Sequence, residues 1–253
     1  MLTTIITSKQ LEILLLLYKF RFLNRQQIQT MLNHKTFNRV NAWLADLTEK
    51  KLISRTYSKR VGENVKPAVY YLNSKSRQIL KDHPEVVANQ LTRIYDEKNR
   101  SPYFREKSMF LADIYLNLKS QTDGELLFLT KSNLEAHKYL YKPLPDAYIV
   151  STTKGVTKRY FLEIVSEQLP RFVIRKHIEY LFKYKVSGKW EQYSKHPFPT
   201  FLMVCPTYPT KAFMAKFIKS QRDSETRNLA FYLGSVDTIK SRGITPGTWQ
   251  KVE

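Results

Sequence analysis

Apolar side chains recur at helical intervals through the first fifty residues of the chain. Thr7 with Gln10, and then Asn24 with Gln27, have capping-box spacing, so each pair predicts the start of a helix. The stripe that follows the first start consists of Leu11, Leu14, Leu15 and Tyr18. A third helix is predicted by the shared face of Phe37, Val40, Leu44 and Leu47.

A β-hairpin is predicted directly after these helices. Residues 52–57 alternate between apolar and polar side chains, residues 61–65 have the composition of a turn, and residues 68–72 form the return strand. Three helices followed by a hairpin make a winged helix-turn-helix, in which the short connection between the second and third helices is the helix-turn-helix element.

The remainder of the chain alternates helices with short apolar strands. Helices are predicted over 104–118, 169–184 and 211–220, strands over 126–129, 147–150, 159–165, 201–205 and 229–233, and a turn over 151–157. The fold class is therefore α+β, with a winged helix followed by an α/β domain that contains a mixed sheet. We place the winged helix at 1–82, a helical linker at 83–102 and the α/β domain at 103–253.

Charge makes nucleic acid the first partner to consider. Lys and Arg number 42 against 22 Asp and Glu, a net charge of +20. Residues 1–75 carry 13 basic and 4 acidic side chains, residues 76–139 carry 10 and 9, and residues 140–253 carry 19 and 9. Two basic blocks thus flank a neutral one, which indicates two surfaces for polyanions. A single cysteine and no apolar run of membrane-spanning length predict a cytoplasmic protein without a membrane partner.

Duplex DNA would be contacted by the third helix and the hairpin. In this motif the N-terminal half of the recognition helix meets base edges, and basic residues of the wing meet phosphates. The expected base-reading residues are Lys35, Thr36, Asn38, Arg39 and Asn41. The expected backbone contacts are Arg55, Lys59, Arg60 and Lys66, with Arg175 on the later basic helix. The alternative is a winged helix used for protein contacts or for a homodimer.

A candidate catalytic site combines Asp146, at the entry to one strand, with Glu163 on the next strand. Two carboxylates on adjacent strands can hold Mg²⁺ or Mn²⁺, and a lysine, here Lys176, can stabilise charge on a phosphodiester. This resembles the PD-(D/E)XK nucleases, although Val165 stands where their lysine is expected; Glu106 or Glu125 could add a further acid. In the alternative, Asp146 caps the strand entry and Glu163 pairs with the basic helix, which leaves a structural relic without a cofactor.

Several short segments together resemble the replication-relaxation family of plasmids and integrative elements, from about Ser8 to Trp249. They are the winged-helix opening, Tyr70-Tyr71-Leu72, the helix at 104–118, Leu144-Pro145-Asp146-Ala147, Phe161-Leu162-Glu163-Ile164 and the spacing from Lys176 to Tyr180. The chain departs from the family pattern at Val165 and Ser166, where members usually carry an acid and often an Arg, and at Lys107, where a histidine is frequent.

The resemblance implies a DNA-binding accessory protein for replication, relaxation or mobilisation of a mobile element, with a degenerate restriction-endonuclease-like core behind the winged helix. A relaxase or a replication protein would be a further partner. Two other functions stay open on the residues alone. One is a metal-dependent endonuclease or nickase that uses Asp146 and Glu163, and the other is a winged-helix transcription regulator with a ligand pocket.

Overall fold

The computed structural model describes residues 5–57, 67–222, 226 and 228–253. Contacts between Cα atoms divide the chain into two compact units, Met1–Leu116 and Asn117–Glu253. Both contain helices and strands, and the second contains a mixed sheet, so the α+β class predicted from the sequence is confirmed.

The first unit opens with three helices, α1 (Ser8–Phe20), α2 (Arg25–Met31) and α3 (Phe37–Glu49). Both predicted capping boxes are present: Thr7 and Gln10 exchange side-chain and backbone hydrogen bonds at the start of α1, and Asn24 and Gln27 do so at α2. Each pair satisfies backbone N–H groups that the first turn of a helix leaves without a partner.

The apolar face of α3 is confirmed at three of its four predicted positions. Val40, Leu44 and Leu47 are buried, whereas Phe37, at the N-terminal end of the same face, is 54% exposed. Phe37 is the first residue of α3, and the guanidinium of Arg25 lies 5.3 Å from its ring centroid.

A small antiparallel sheet closes this part of the unit. Its strands are β1 (Leu23–Asn24), β2 (Ile53–Thr56) and β3 (Val69–Leu72), in the order β1-β3-β2. The predicted return strand pairs with β2 through Ile53 opposite Leu72. The predicted turn at 61–65, and with it Lys59, Arg60 and Lys66, lies outside the described residues.

Short helices lead to a long one. They are α4 (Arg77–Leu80) and α5 (Ala88–Leu91), with 3-10 turns at Ser74–Ser76 and Thr92–Asn99, and the long helix is α6 (Pro102–Gln121). The first half of α6 packs within the first unit, because buried Gln27 donates hydrogen bonds to the Met109 carbonyl at 2.9 Å and to Asp113 at 2.6 Å. The division at 116/117 therefore lies 14 residues beyond the start expected for the second domain at residue 103.

The second unit is built on a six-stranded sheet of described residues in the order β4-β5-β6-β7-β8-β9. The strands are β4 (Glu125–Thr130), β5 (Ala147–Thr153), β6 (Val156–Ile164), β7 (Thr200–Cys205), β8 (Phe231–Ser235) and β9 (Gln250–Lys251). The pairs β6–β7 and β7–β8 are parallel and the other three are antiparallel, which makes the sheet mixed.

Helices connect these strands. They are α7 (Lys131–Leu134), α8 (Arg171–Val186), α9 (Lys189–Ser194), α10 (Tyr208–Ser220) and α11 (Val236–Arg242), with a 3-10 turn at Pro246–Thr248. One face of the sheet packs against α8 and α10: Phe182 of α8 stacks on Phe231 with ring centroids 5.5 Å apart, and Met214 of α10 contacts Cys205. Burial of such side chains contributes about 1.5–3 kcal/mol each.

The hairpin between β5 and β6 is tighter than the sequence predicts. The predicted turn over 151–157 is wrong, because both strands continue until only Lys154 and Gly155 remain between them. Both residues have positive φ, 50° and 77°, as a two-residue turn between twisted strands requires.

Candidate functional sites

The connection between α2 and α3 is held by His34. The amide of Thr36 donates to its Nδ1 at 3.3 Å, the Gln29 side chain donates to its carbonyl at 3.1 Å, and its ring lies edge-on to Trp43 at 5.0 Å. Asn33 turns the chain with a φ of 50°, a conformation that asparagine tolerates. These contacts fix the chain direction at the start of α3.

The outward side of α3 carries the residues that the sequence assigned to base reading. Lys35, Thr36, Asn38, Arg39 and Asn41 are all exposed. No acidic residue occurs between Lys35 and Ala45, and Thr36 makes no side-chain capping bond to the helix. The helix therefore presents cations, amides and the positive end of its dipole on one side.

The arginine at the centre of this surface lies against an aromatic ring. The Arg39 guanidinium lies 5.8 Å from the Trp43 ring centroid, an arrangement typical of a cation–π contact. The neighbouring exposed positions, Ala42 and Ala45, are small. Small side chains beside an exposed arginine leave room for a helix to approach a flat or concave partner closely.

Of the predicted hairpin contacts, Arg55 is described. It is exposed on β2, and its guanidinium lies 5.6 Å from the ring centroid of Tyr57. On α8, Arg175 is exposed as well.

Among the described residues, no helix is both long and apolar enough to cross a bilayer.

The structure brings Asp146 and Glu163 together. Ala147 lies opposite Leu162 in the antiparallel β5–β6 ladder, so the next step of the register places Asp146 opposite Glu163. The Asp146 amide donates to the Leu162 carbonyl at 2.8 Å, and the Ile164 amide donates to Asp146 Oδ2 at 2.6 Å. Both carboxylates are buried.

Asp146 is paired with a lysine that the sequence did not indicate. Lys131 Nζ donates to Asp146 Oδ1 at 2.7 Å. Lys131 is the first residue of α7, directly after β4, and Thr130 lies opposite Ala147. The strand register therefore brings Lys131 beside Asp146, and only knowledge of that register could have identified it.

Glu163 is held by two other side chains. The Tyr141 hydroxyl donates to Oε1 at 2.6 Å, and His177 Nε2 lies 2.6 Å from Oε2. Burial, together with the charge of Glu163, raises the pKa of Tyr141 well above its usual value, so this phenol stays protonated. Burial alone would lower the pKa of His177, but the hydrogen bond and charge of Glu163 outweigh it and raise that pKa.

The arrangement is a network of two carboxylates and two cations. A divalent metal would have to displace Lys131 from Asp146 and His177 from Glu163, so the residues as they are placed do not fit a Mg²⁺ or Mn²⁺ site. Within the described part of the chain, no group of three or more His, Cys, Asp or Glu side chains is placed to hold a metal ion.

The other residues proposed for catalysis lie elsewhere. Lys176 is exposed on α8, with Nζ 6.0 Å from the Phe172 ring centroid, whereas the ammonium at Asp146 belongs to Lys131. Glu106 lies on α6 in the first unit, and Glu125 is exposed at the start of β4. The structure therefore brings together Asp146 and Glu163 of the predicted set and adds Lys131, His177 and Tyr141.

The opposite face of the same sheet carries a groove of about 690 Å³. Tyr160 lies three residues before Glu163 on β6, so its side chain points to the other face of the sheet. It lines the groove together with Tyr232 and Trp249. The lining is mostly aromatic and aliphatic, with Lys158 and Arg159 among the polar members.

No curated protein matches the sequence. Two solved structures, of the restriction endonuclease FokI and of FokI bound to DNA, align with 98% and 97% of the chain, at 13% and 15% identity. Their TM-scores are 0.34 and 0.32, and the chain spans about half, 48%, of each.

The comparison with protein families gives a match over most of the chain. The model described as replication-relaxation covers residues 14–195, which include the second half of α1, all of α2 and α3, the small sheet, and the segments that carry Asp146, Glu163 and His177. The chain belongs to the replication-relaxation family.

Proposed function

We propose that the protein binds double-stranded DNA as an accessory factor in replication, relaxation or mobilisation of a plasmid or integrative element. The observation that carries the proposal is the surface of α3, an exposed helix that follows a fixed turn and presents Lys35, Arg39 and two asparagines without an acidic neighbour. The order of α1, α2 and α3 followed by the paired strands β2 and β3 is the order expected of a winged helix-turn-helix, which supports the proposal.

The chemistry of this surface matches the edges of bases in a major groove. An arginine such as Arg39 can donate two hydrogen bonds to guanine, and Asn38 or Asn41 can exchange two with adenine. Arg55 would neutralise phosphates, as would Lys59, Arg60 and Lys66 of the hairpin predicted from the sequence. Ala42 and Ala45 would let the helix backbone approach the groove floor.

The test selects preferred duplexes from a random pool with the full chain and then measures affinity by fluorescence anisotropy. Arg39→Ala should lower affinity for the selected duplex by about 1–3 kcal/mol and reduce its advantage over an unrelated duplex. Lys9→Ala is the matched control, since Lys9 lies 2.6 Å from Glu12 and its charge is already balanced. Equal losses in the two variants, or selection of no duplex at all, would contradict the proposal.

Family membership supports the link to mobile elements, where a relaxase or a replication protein would be the protein partner. Such partners act at defined DNA sites, and a sequence-reading helix would bring the second unit to such a site. A homodimer would bind two half-sites, one for each copy of α3. Analytical ultracentrifugation with and without the selected duplex distinguishes one bound copy from two.

Metal-dependent cleavage is the second candidate, because Asp146 and Glu163 lie opposite one another on adjacent strands with Lys131 beside them. Supercoiled plasmid incubated with Mg²⁺ or Mn²⁺ tests it, with Asp146→Asn and Glu163→Gln as variants. Nicking by the unaltered protein that both variants lose would establish the enzyme. Intact plasmid in every incubation favours the binding protein, as the ion pairs at both carboxylates lead us to expect.

A winged-helix transcription regulator is a further alternative, which the groove beside Tyr160, Tyr232 and Trp249 favours. A regulator of this kind changes its affinity for DNA when a small molecule binds. Aromatic and aliphatic compounds that raise the melting temperature should then be tested for an effect on affinity for the selected duplex. An unchanged affinity in every case argues against this function.

A further inference from the structure

The outward face of α8 differs chemically from the α3 surface. Its exposed positions combine two aromatic rings, Phe172 (54% exposed) and Tyr180 (43%), with four cations, Arg171, Arg175, Lys176 and Lys183. Glu179 is the one acidic residue of α8, all of which is described. Cations and exposed rings therefore alternate along a surface that has little opposing charge.

The spacing of the two rings and Lys176 places these three side chains in one row. Phe172, Lys176 and Tyr180 are four residues apart and lie on the same side of the helix. The Lys176 ammonium lies 6.0 Å from the Phe172 ring centroid, between the two aromatic positions. The rings are eight residues apart, about 12 Å along the axis at the rise of an α-helix.

The buried side of α8 holds this row in a fixed orientation. Ile178 and Leu181 are fully buried, and Phe182 stacks on Phe231 of β8. The helix thus uses its apolar face for the core of the second unit, and Phe172 and Tyr180 are not part of that core. Phe172 and Tyr180 therefore leave apolar ring surface in contact with water and available to a partner.

We propose that this row, Phe172, Lys176 and Tyr180, together with Arg175 and Lys183 beside it, binds single-stranded DNA. Aromatic rings stack on unpaired bases, and interleaved cations follow the phosphates between them. In a duplex the base faces are covered by their neighbours, so the two rings would have nothing to stack on. The inference concerns a second surface and does not rest on duplex recognition by α3.

A lipid surface fits the row less well. Helices that lie in a membrane interface bury a continuous apolar face in the acyl region. The apolar face of α8 already packs in the core through Ile178, Leu181 and Phe182. The exposed rings are separated by Lys176 and flanked by Arg175, which would have to enter the apolar region with them.

The main test compares two double variants of the full chain with a labelled oligothymidylate. Phe172→Leu with Tyr180→Leu keeps apolar bulk and helix propensity but removes both rings, and should lower affinity for the single strand at least about tenfold. Phe172→Tyr with Tyr180→Phe keeps the rings and should stay within about twofold. Equal affinity of the two double variants for the single strand would overturn the proposal. Circular dichroism verifies that both fold.

Charge and strand type give independent readouts. Lys176→Gln should make the slope of log affinity against log salt for the single strand shallower by about 0.7, the amount expected for one phosphate contact. Glu179→Gln should strengthen binding, since it removes the one opposing charge of α8. Affinity for the α3-selected duplex should be unchanged in the double leucine variant and reduced in Arg39→Ala. The two measurements therefore test the α8 surface and the α3 surface independently. Binding to anionic phospholipid vesicles in preference to oligothymidylate would overturn the proposal.

Discussion

At the scale of single residues, the network around Glu163 couples two charges that burial would otherwise penalise. His177 is held 2.6 Å from Glu163 Oε2, and Tyr141 donates to the other oxygen. A buried carboxylate is costly unless it is paired and hydrogen-bonded, and removing one partner exposes that cost. The protonated state of His177 therefore bears directly on the stability of the second unit.

This network predicts that stability depends on pH through His177. Glu163 raises the pKa of His177 above the ordinary value of 6.5, although burial and the charge of Lys131 act in the opposite direction. A raised folded-state pKa stabilises the protein below the unfolded value, and this contribution is lost as pH rises from the ordinary histidine range through the raised pKa. Urea unfolding should show the unaltered protein losing its advantage over His177→Gln across that window.

The raised pKa of Tyr141 keeps it outside this window, so its hydrogen bond is not titrated there. A control shows whether Glu163 causes this pH dependence. It compares the stability of Glu163→Gln with that of the Glu163→Gln, His177→Gln double variant over the same pH range. In that background the imidazolium has no carboxylate partner, and burial and the charge of Lys131 lower the pKa of His177, so the loss of stability with rising pH should disappear or reverse its sign. A difference that persisted unchanged would assign the effect to groups other than Glu163.

At the scale of elements, local signals predicted what local chemistry determines. The capping boxes at Thr7 and Asn24 fixed two helix starts, and strand alternation located β2 and β3. Asp146 and Glu163 were predicted to be neighbours because a hairpin makes them so. Lys131 and His177 were not predicted, because the first reaches Asp146 through the β4–β5 register and the second reaches Glu163 through packing of α8.

The turn at Lys154 and Gly155 gives a prediction at this scale. A Cβ at Gly155 would meet open space, so strain there would come only from its φ of 77°. The left-handed conformation costs an L-residue about 1–2 kcal/mol, so Gly155→Ala should lower the free energy of unfolding by about that amount. Gly247→Ala is the matched control, since a Cβ there also meets open space and its φ lies outside that range. Equal stability of the two variants in urea would contradict the expected strain.

At the scale of the whole molecule, net charge and shape make different contributions. A charge of +20 attracts any polyanion and steers association without choosing a sequence. In our proposals, selectivity comes from two surfaces, the amides and Arg39 on α3 in the first unit and the rings between cations on α8 in the second. Net charge could be counted from the sequence, whereas the exposure of Phe37, Phe172 and Tyr180 could not.

The division of the chain at Leu116 and Asn117 predicts which N-terminal fragments fold by themselves. Within the first unit α6 packs Tyr115 against Phe20 and Phe104 against Phe22, and Gln27 donates to Met109 and Asp113. A fragment of residues 1–121 should therefore unfold cooperatively. A fragment of residues 1–101 lacks α6, so buried Gln27 loses its hydrogen-bond acceptors. Apolar side chains that packed against α6 become exposed, and each loses about 1.5–3 kcal/mol of burial free energy. Because domains are stable by only about 5–15 kcal/mol, the shorter fragment should melt well below the longer one, and equal melting temperatures in differential scanning calorimetry would place the boundary before α6 instead.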